Sequence, residues 1–152
     1  MAKKTGVIRD RDLGFNKLLN IDKAMPKGVK IGIFGGTTAD GESIPAYANK
    51  NEFGIDVPER PFMRSTFDQE QSSLVSMIKR LVDSYIKGRM ATPKQLFSVV
   101  GDYLKTKVQE RITNASQWAK PNSPVTVRIK GSDKPLIDTG AMRSAITYKV
   151  EE

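Results

Sequence analysis

The sequence predicts a single α+β domain, a small antiparallel sheet packed against two long helices. Three observations carry that expectation. Stretches 66–88 and 92–112 each place apolar residues three or four apart behind a capping signature. Short stretches at 29–34 and 146–150 alternate as strands do. Finally, 152 residues, 38% hydrophobic and 28% charged, suffice for one core and are short for two.

Taken in order, Phe15, Leu18, Ile21 and Met25 suit one face of a helix between Asp10 and Met25, so residues 1–28 read as an N-terminal helical segment. Pro26 and Gly28 end it. Val29, Ile31 and Ile33 then share a strand face up to Phe34, and residues 35–43, all turn formers, read as an exposed, mobile loop. Pro45 opens a short helix with Tyr47, Ala48 and Phe53 as its apolar contacts, and Gly54 closes it. Pro58 and Pro61 hold Val57 and Arg60 extended.

Thr66-Phe67-Asp68-Gln69 fits a capping box, followed by Phe67, Leu74, Ile78, Leu81 and Tyr85 at helical spacing as far as Gly88. Thr92-Pro93-Lys94-Gln95 is a second box, with proline at the first helical position, ahead of Leu96, Val100, Tyr103, Leu104, Val108 and Ile112. The tail is ambiguous: Val125, Val127 and Ile129 alternate like a strand, yet Ser123-Pro124 opens a helix well and Gly131 stops one. After Asp138-Thr139-Gly140 a short turn or helix leads into a final strand, Ile146 to Val150.

Composition narrows the chemistry. The chain has no Cys and no His, which removes disulfides, thiol nucleophiles, imidazole acid–base pairs and zinc sites of the Cys/His kinds. No apolar run approaches the ~18 residues of a membrane helix and no signal-peptide core follows Met1, so the chain reads as soluble and unsecreted. The formal charge of +8 suggests a polyanionic partner, either nucleic acid or an acidic protein surface. It is spread out: residues 1–30 and 79–111 each carry eight basic and three acidic groups.

Three motifs invite sharper readings. Gly36 to Ser43 has P-loop spacing, but Glu42 stands where the phosphate-binding lysine belongs, and Asp40 adds to the repulsion. Leu136-Ile137-Asp138-Thr139-Gly140 resembles the turn of aspartic proteases, yet only twelve residues follow it, and two long helices contradict an all-β enzyme. The better reading has Asp138 or Thr139 capping the next element, with Gly140 as a permissive backbone. Basic residues lie near aromatics at Arg60, Phe62 and Arg64 and at Lys79, Arg80 and Tyr85, as on single-strand binders. Phe67 and Tyr85, however, sit on the apolar helix face and are expected in the core.

Three ordered blocks carry a resemblance. They are Ile44-Pro45-Ala46-Tyr47-Ala48 through Asn51-Glu52-Phe53-Gly54; Val57-Pro58-Glu59-Arg60-Pro61-Phe62-Met63-Arg64; and Lys130-Gly131 through Pro135-Leu136-Ile137-Asp138-Thr139-Gly140-Ala141-Met142-Arg143-Ser144-Ala145-Ile146. Over about residues 44–150 the chain resembles the tail-completion and neck proteins of long-tailed bacteriophages. The resemblance implies a structural, non-enzymatic virion protein, made in the host bacterial cytoplasm, without catalytic residues, cofactor or metal. It implies a homo-oligomeric ring, a hexamer or dodecamer, at the head–tail junction, with connector and tail proteins as neighbours and DNA passing through its channel. It also makes Ser123 to Lys130 a short helix. The residues expected at interfaces are Phe53, Gly54, Pro58, Arg60, Pro61, Phe62, Arg64, Asp138, Thr139 and Gly140, and Arg60 is expected to be replaceable without harm to the isolated fold. The alternative is a small basic nucleic-acid-binding protein, whose affinity would fall steeply with salt.

Overall fold

A computed structural model of the chain describes residues 25–90 and 92–152. The expected helix over Asp10–Met25 lies outside these residues except for its last residue, Met25, which is not helical. The elements are β1 (Gly28–Gly32), α1 (Ile44–Phe53), α2 (Phe62–Ile86), α3 (Pro93–Thr113), a 3-10 turn (Ala115–Gln117), α4 (Pro124–Lys130), α5 (Ala141–Ala145) and β2 (Thr147–Glu151). The class is α+β, with a two-stranded antiparallel sheet.

In that sheet the first described strand pairs with the last. Gly28 faces Glu151, Ile31 faces Tyr148 and Gly32 faces Thr147. Lys30 and Lys149 stand opposite each other on the exposed side, and Lys30 bonds Glu151 at 2.5 Å. The other face lies on α3, which also packs along α2. α3 is thus the central element, and the sheet meets the helical pair chiefly through it.

The closest approach is at Gly101. A Cβ there would lie 2.3 Å from the Tyr148 ring, so only glycine lets the strand sit this near the helix. The Tyr148 hydroxyl then donates to Asp102 Oδ2 at 3.2 Å. Two apolar clusters flank this contact. Ile44, Ala48, Phe62, Val108, Ile112, Leu136, Met142 and Ile146 join α1, α5 and the lower half of α3. Leu96, Val100 and Leu104 join the upper half to α2, and Ile31 touches both clusters.

The second capping box forms as expected: Thr92 Oγ1 accepts from Gln95 N at 3.3 Å, and Gln95 Oε1 accepts from Thr92 N at 3.4 Å. The first does not. α2 starts at Phe62, and the Thr66 hydroxyl donates to Phe62 O within the helix. Phe67 is 40% exposed rather than in the core, whereas Tyr85 is buried as expected. On α1 it is Ile44 and Ala48 that bury, while Phe53 is 55% exposed.

The ambiguous tail resolves to helix α4, with Ser123 Oγ accepting from Thr126 N at 3.1 Å and Gly131 left-handed at its end. The 35–43 segment is exposed for most of its length, but it is a closed turn rather than an open loop. Thr38 N donates to Glu42 O at 2.8 Å, Ile44 N donates to Gly36 O at 3.0 Å, and Glu42 bonds Lys50 at 2.9 Å.

Gly101→Ala should cost about 1–3 kcal/mol by overpacking, despite the better helix propensity of alanine. In a Tyr148→Ala background the same substitution should cost less, because the ring that it meets is gone. Urea midpoints of the two single variants and the double variant measure both effects, and an unchanged Gly101→Ala midpoint would mean that the ring is not seated there.

Candidate functional site

The three sequence blocks meet at the joint between α1 and α2. α1 ends at Gly54, whose φ of 70° is left-handed and whose missing Cβ leaves room for Glu59. The chain then doubles back, and Arg60 N donates to Asn51 O at 2.7 Å. Pro61 precedes α2 and carries no donor of its own to lose.

Glu52, 5% exposed, caps α2 from outside the helix. Its Oε2 accepts from Met63 N at 2.9 Å and its Oε1 from Arg64 N and Arg64 Nε, each at 3.0 Å. Helix-start N–H groups lack partners within the helix and favour negative charge, so the carboxylate fits there although buried. Arg64 also reaches Glu52 O and Glu59 Oε1, and its guanidinium lies 4.8 Å from the Phe53 ring centre. Hydrogen bonding to Glu52, then to Glu59, raises its pKa.

Arg60 points the other way and is also 5% exposed. Nε donates to Lys120 O at 2.9 Å, Nη1 to Asn51 Oδ1 at 3.3 Å, and Nη2 to Pro121 O at 3.2 Å and Asn122 Oδ1 at 3.1 Å. These acceptors are all uncharged, and burial lowers its pKa. Asn122 continues the chain of bonds to the carbonyls of Asp133 and Lys134. Lys130 Nζ donates to Lys134 O at 3.1 Å and Ile137 O at 2.7 Å; burial lowers its pKa, against an opposing pull from Asp138. Every buried side-chain polar atom among the described residues is thereby satisfied.

Around this lattice lies a groove of about 390 Å³, with Tyr47 and Asn51 from α1, Pro58 and Arg60 from the connection, and Thr126, Lys130 and Asp138 from the far wall. The elements that bound it carry exposed apolar side chains: Phe53 at the end of α1, Ile55 just after it, and Val125 and Ile129 on α4, Ile129 being 82% exposed. An adjoining cavity of about 100 Å³ holds Thr139 and Gly140 and shares Tyr47 and Asp138.

Of the residues expected at interfaces, Pro58, Arg60 and Asp138 therefore line one groove, while Phe53, Gly54, Pro61 and Arg64 form the neighbouring corner. Two expectations are corrected. Phe62 is a core side chain at 1% exposure. Arg60 is a buried staple, so its charge reversal cannot leave the fold intact: a carboxylate in its place would face four oxygens. In the Asp-Thr-Gly turn, Thr139 Oγ1 accepts from Ala141 N at 3.3 Å, Gly140 is left-handed at φ 82°, and no side-chain bond from Asp138 caps α5.

Sequence reasoning missed Glu52 and Lys130 as organising groups. A lone acid ten residues before a helix start has no spacing signature; its place in the first block, just ahead of the one that ends at Arg64, was the only hint. It missed, too, the Arg111–Trp118 stack, with the guanidinium 4.0 Å from the ring centre and Trp118 Nε1 donating to Arg111 O at 2.9 Å.

Arg60→Glu should lower stability by more than about 3 kcal/mol, because a buried network is broken and an unpaired charge replaces it. Glu52→Gln should cost about 1–2 kcal/mol by weakening the cap. Denaturant titration reads both, and an Arg60→Glu midpoint equal to the parent's would remove the staple role. No protein-family model, curated protein or solved structure matches this chain.

Proposed function

We propose that the chain is a structural, non-enzymatic virion subunit that assembles as a homo-oligomeric ring at the head–tail junction of a long-tailed phage, as a tail-completion or neck protein. The observation that carries this reading is convergence. The three blocks behind the resemblance are separated in sequence, yet Asn51, Arg60 and Asp138, one from each, line a single groove. Their shared pattern is thus one joint with one surface, which is what an assembly interface requires of a small domain.

A ring closes through unlike patches on successive copies. With Arg60 and Phe62 committed to the interior, the contact falls to exposed side chains: Phe53, Pro58, Val125 and Ile129, with Arg64 and Asp138 at their side. The excess positive charge serves docking on acidic neighbours in the virion. A channel that gripped DNA would hinder its exit, so only weak binding to DNA is expected, without the steep salt slope of several phosphate contacts.

Electron microscopy of a lysate in which this gene alone is blocked should show full heads lying apart from tails; normal joined particles would overturn the assignment. Ile129→Glu should leave the unfolding free energy of the purified chain within about 0.5 kcal/mol of the parent's, as surface changes do, while lowering the yield of joined particles. DNA affinity falling steeply with salt would instead favour a nucleic-acid-binding role.

A further inference from the structure

We propose that α2 pairs antiparallel with α2 of a second copy of the chain, across a two-fold axis near Val75. α2 runs for 25 residues, yet only Phe62, Thr66 and Tyr85 on it are buried. Val75 is 47% exposed, while Ile78 and Val82 are half covered, packed against the Leu96, Val100 and Leu104 cluster of α3. Asp68, Val75, Lys79 and Val82 fall within about 60° of one another around the helix, away from the Glu70 side that reaches Tyr103 on α3.

The charges on this stripe select the occupant. Asp68 stands on its N-terminal part and Lys79 on its C-terminal part, both exposed and with no hydrogen bond or ion pair among the described residues. In an antiparallel pair with Val75 opposite Val75, each Asp68 comes within about one turn of the other copy's Lys79, so two ion pairs form around the axis. A parallel pair would set Asp68 beside Asp68. The stripe shares no residue with the groove, and the inference is independent of any place in a virion. One helix pair buries roughly 1,000 Å² at most, the low end for specific contacts, so the dimer is concentration-dependent.

Because the chain has no cysteine, Val75→Cys gives a single reporter. Under mild oxidation of the purified chain it should form disulfide-linked dimers much faster than Ile129→Cys, a more exposed control for random collision. By sedimentation, Asp68→Lys and Lys79→Asp should each raise the dissociation constant roughly tenfold, since each turns two attractions into two repulsions. The double variant Asp68→Lys/Lys79→Asp should restore it to near the parent value. Cross-linking of Val75→Cys no faster than the control, as when the stripe is covered by the chain's own residues 1–24, would overturn the proposal. A double variant no better than either single would overturn it as well.

Discussion

The fold depends on how two buried charges at the α1–α2 joint are met. Glu52 is answered by the backbone donors of a helix start and by Arg64; Arg60 is answered by four uncharged oxygens from α1 and the irregular run before α4. Buried ionic groups are costly unless fully partnered; Glu52 finds its partners 11 and 12 residues on, whereas three of the four for Arg60 come from a segment some 60 residues away. The joint therefore sets the direction in which α2 leaves α1 and the place where α4 begins. Alternative packings of the same apolar residues would strand one of these charges, so the joint adds specificity that apolar contact alone does not supply.

The sheet contributes little by itself, because a two-stranded ladder is marginal in water. Its stability comes from lying on α3, where Gly101 admits the Tyr148 ring and Asp102 takes its hydroxyl. The pairing of Gly28 with Glu151 closes the domain by tying the two ends of the described chain together. The joint at residues 51–64 and the Gly101 contact thus divide the labour, one orienting helices and the other anchoring strands.

What the sequence revealed follows the range of the interactions concerned. The Thr92–Gln95 box is a local device completed within four residues, and it is formed as written. Thr66–Gln69 has the same lettering, but Glu52, fourteen residues upstream of Thr66, supplies the cap one turn earlier and turns Thr66 into an interior residue. The 123–130 stretch is undecidable by periodicity because eight residues serve either period. The Ser123 cap and the left-handed Gly131 accompany the helix, while the carbonyls just before it serve Arg60. Phe67 fits the core spacing, yet 40% of it remains exposed, because spacing reports a helix face without reporting how far the neighbouring helix covers it.

Arg60, the most deeply placed cation of the motif blocks, is held by bonds within the domain and is not available to lead an encounter with another molecule, while Arg64 stays exposed but tied to Glu52 and Glu59. Arg128, Lys79 and Arg80 have no ion pair among the described residues. They lie outside the buried joint, Arg128 one position before Ile129 and Lys79 one after Ile78. A charge placed beside an exposed apolar side chain, as Arg128 is beside Ile129, acts on approach and orientation, while the apolar residue acts on how long a contact lasts. A domain that locks its internal charges and leaves its peripheral ones free can keep a rigid frame while its contacts with other chains stay adjustable by salt.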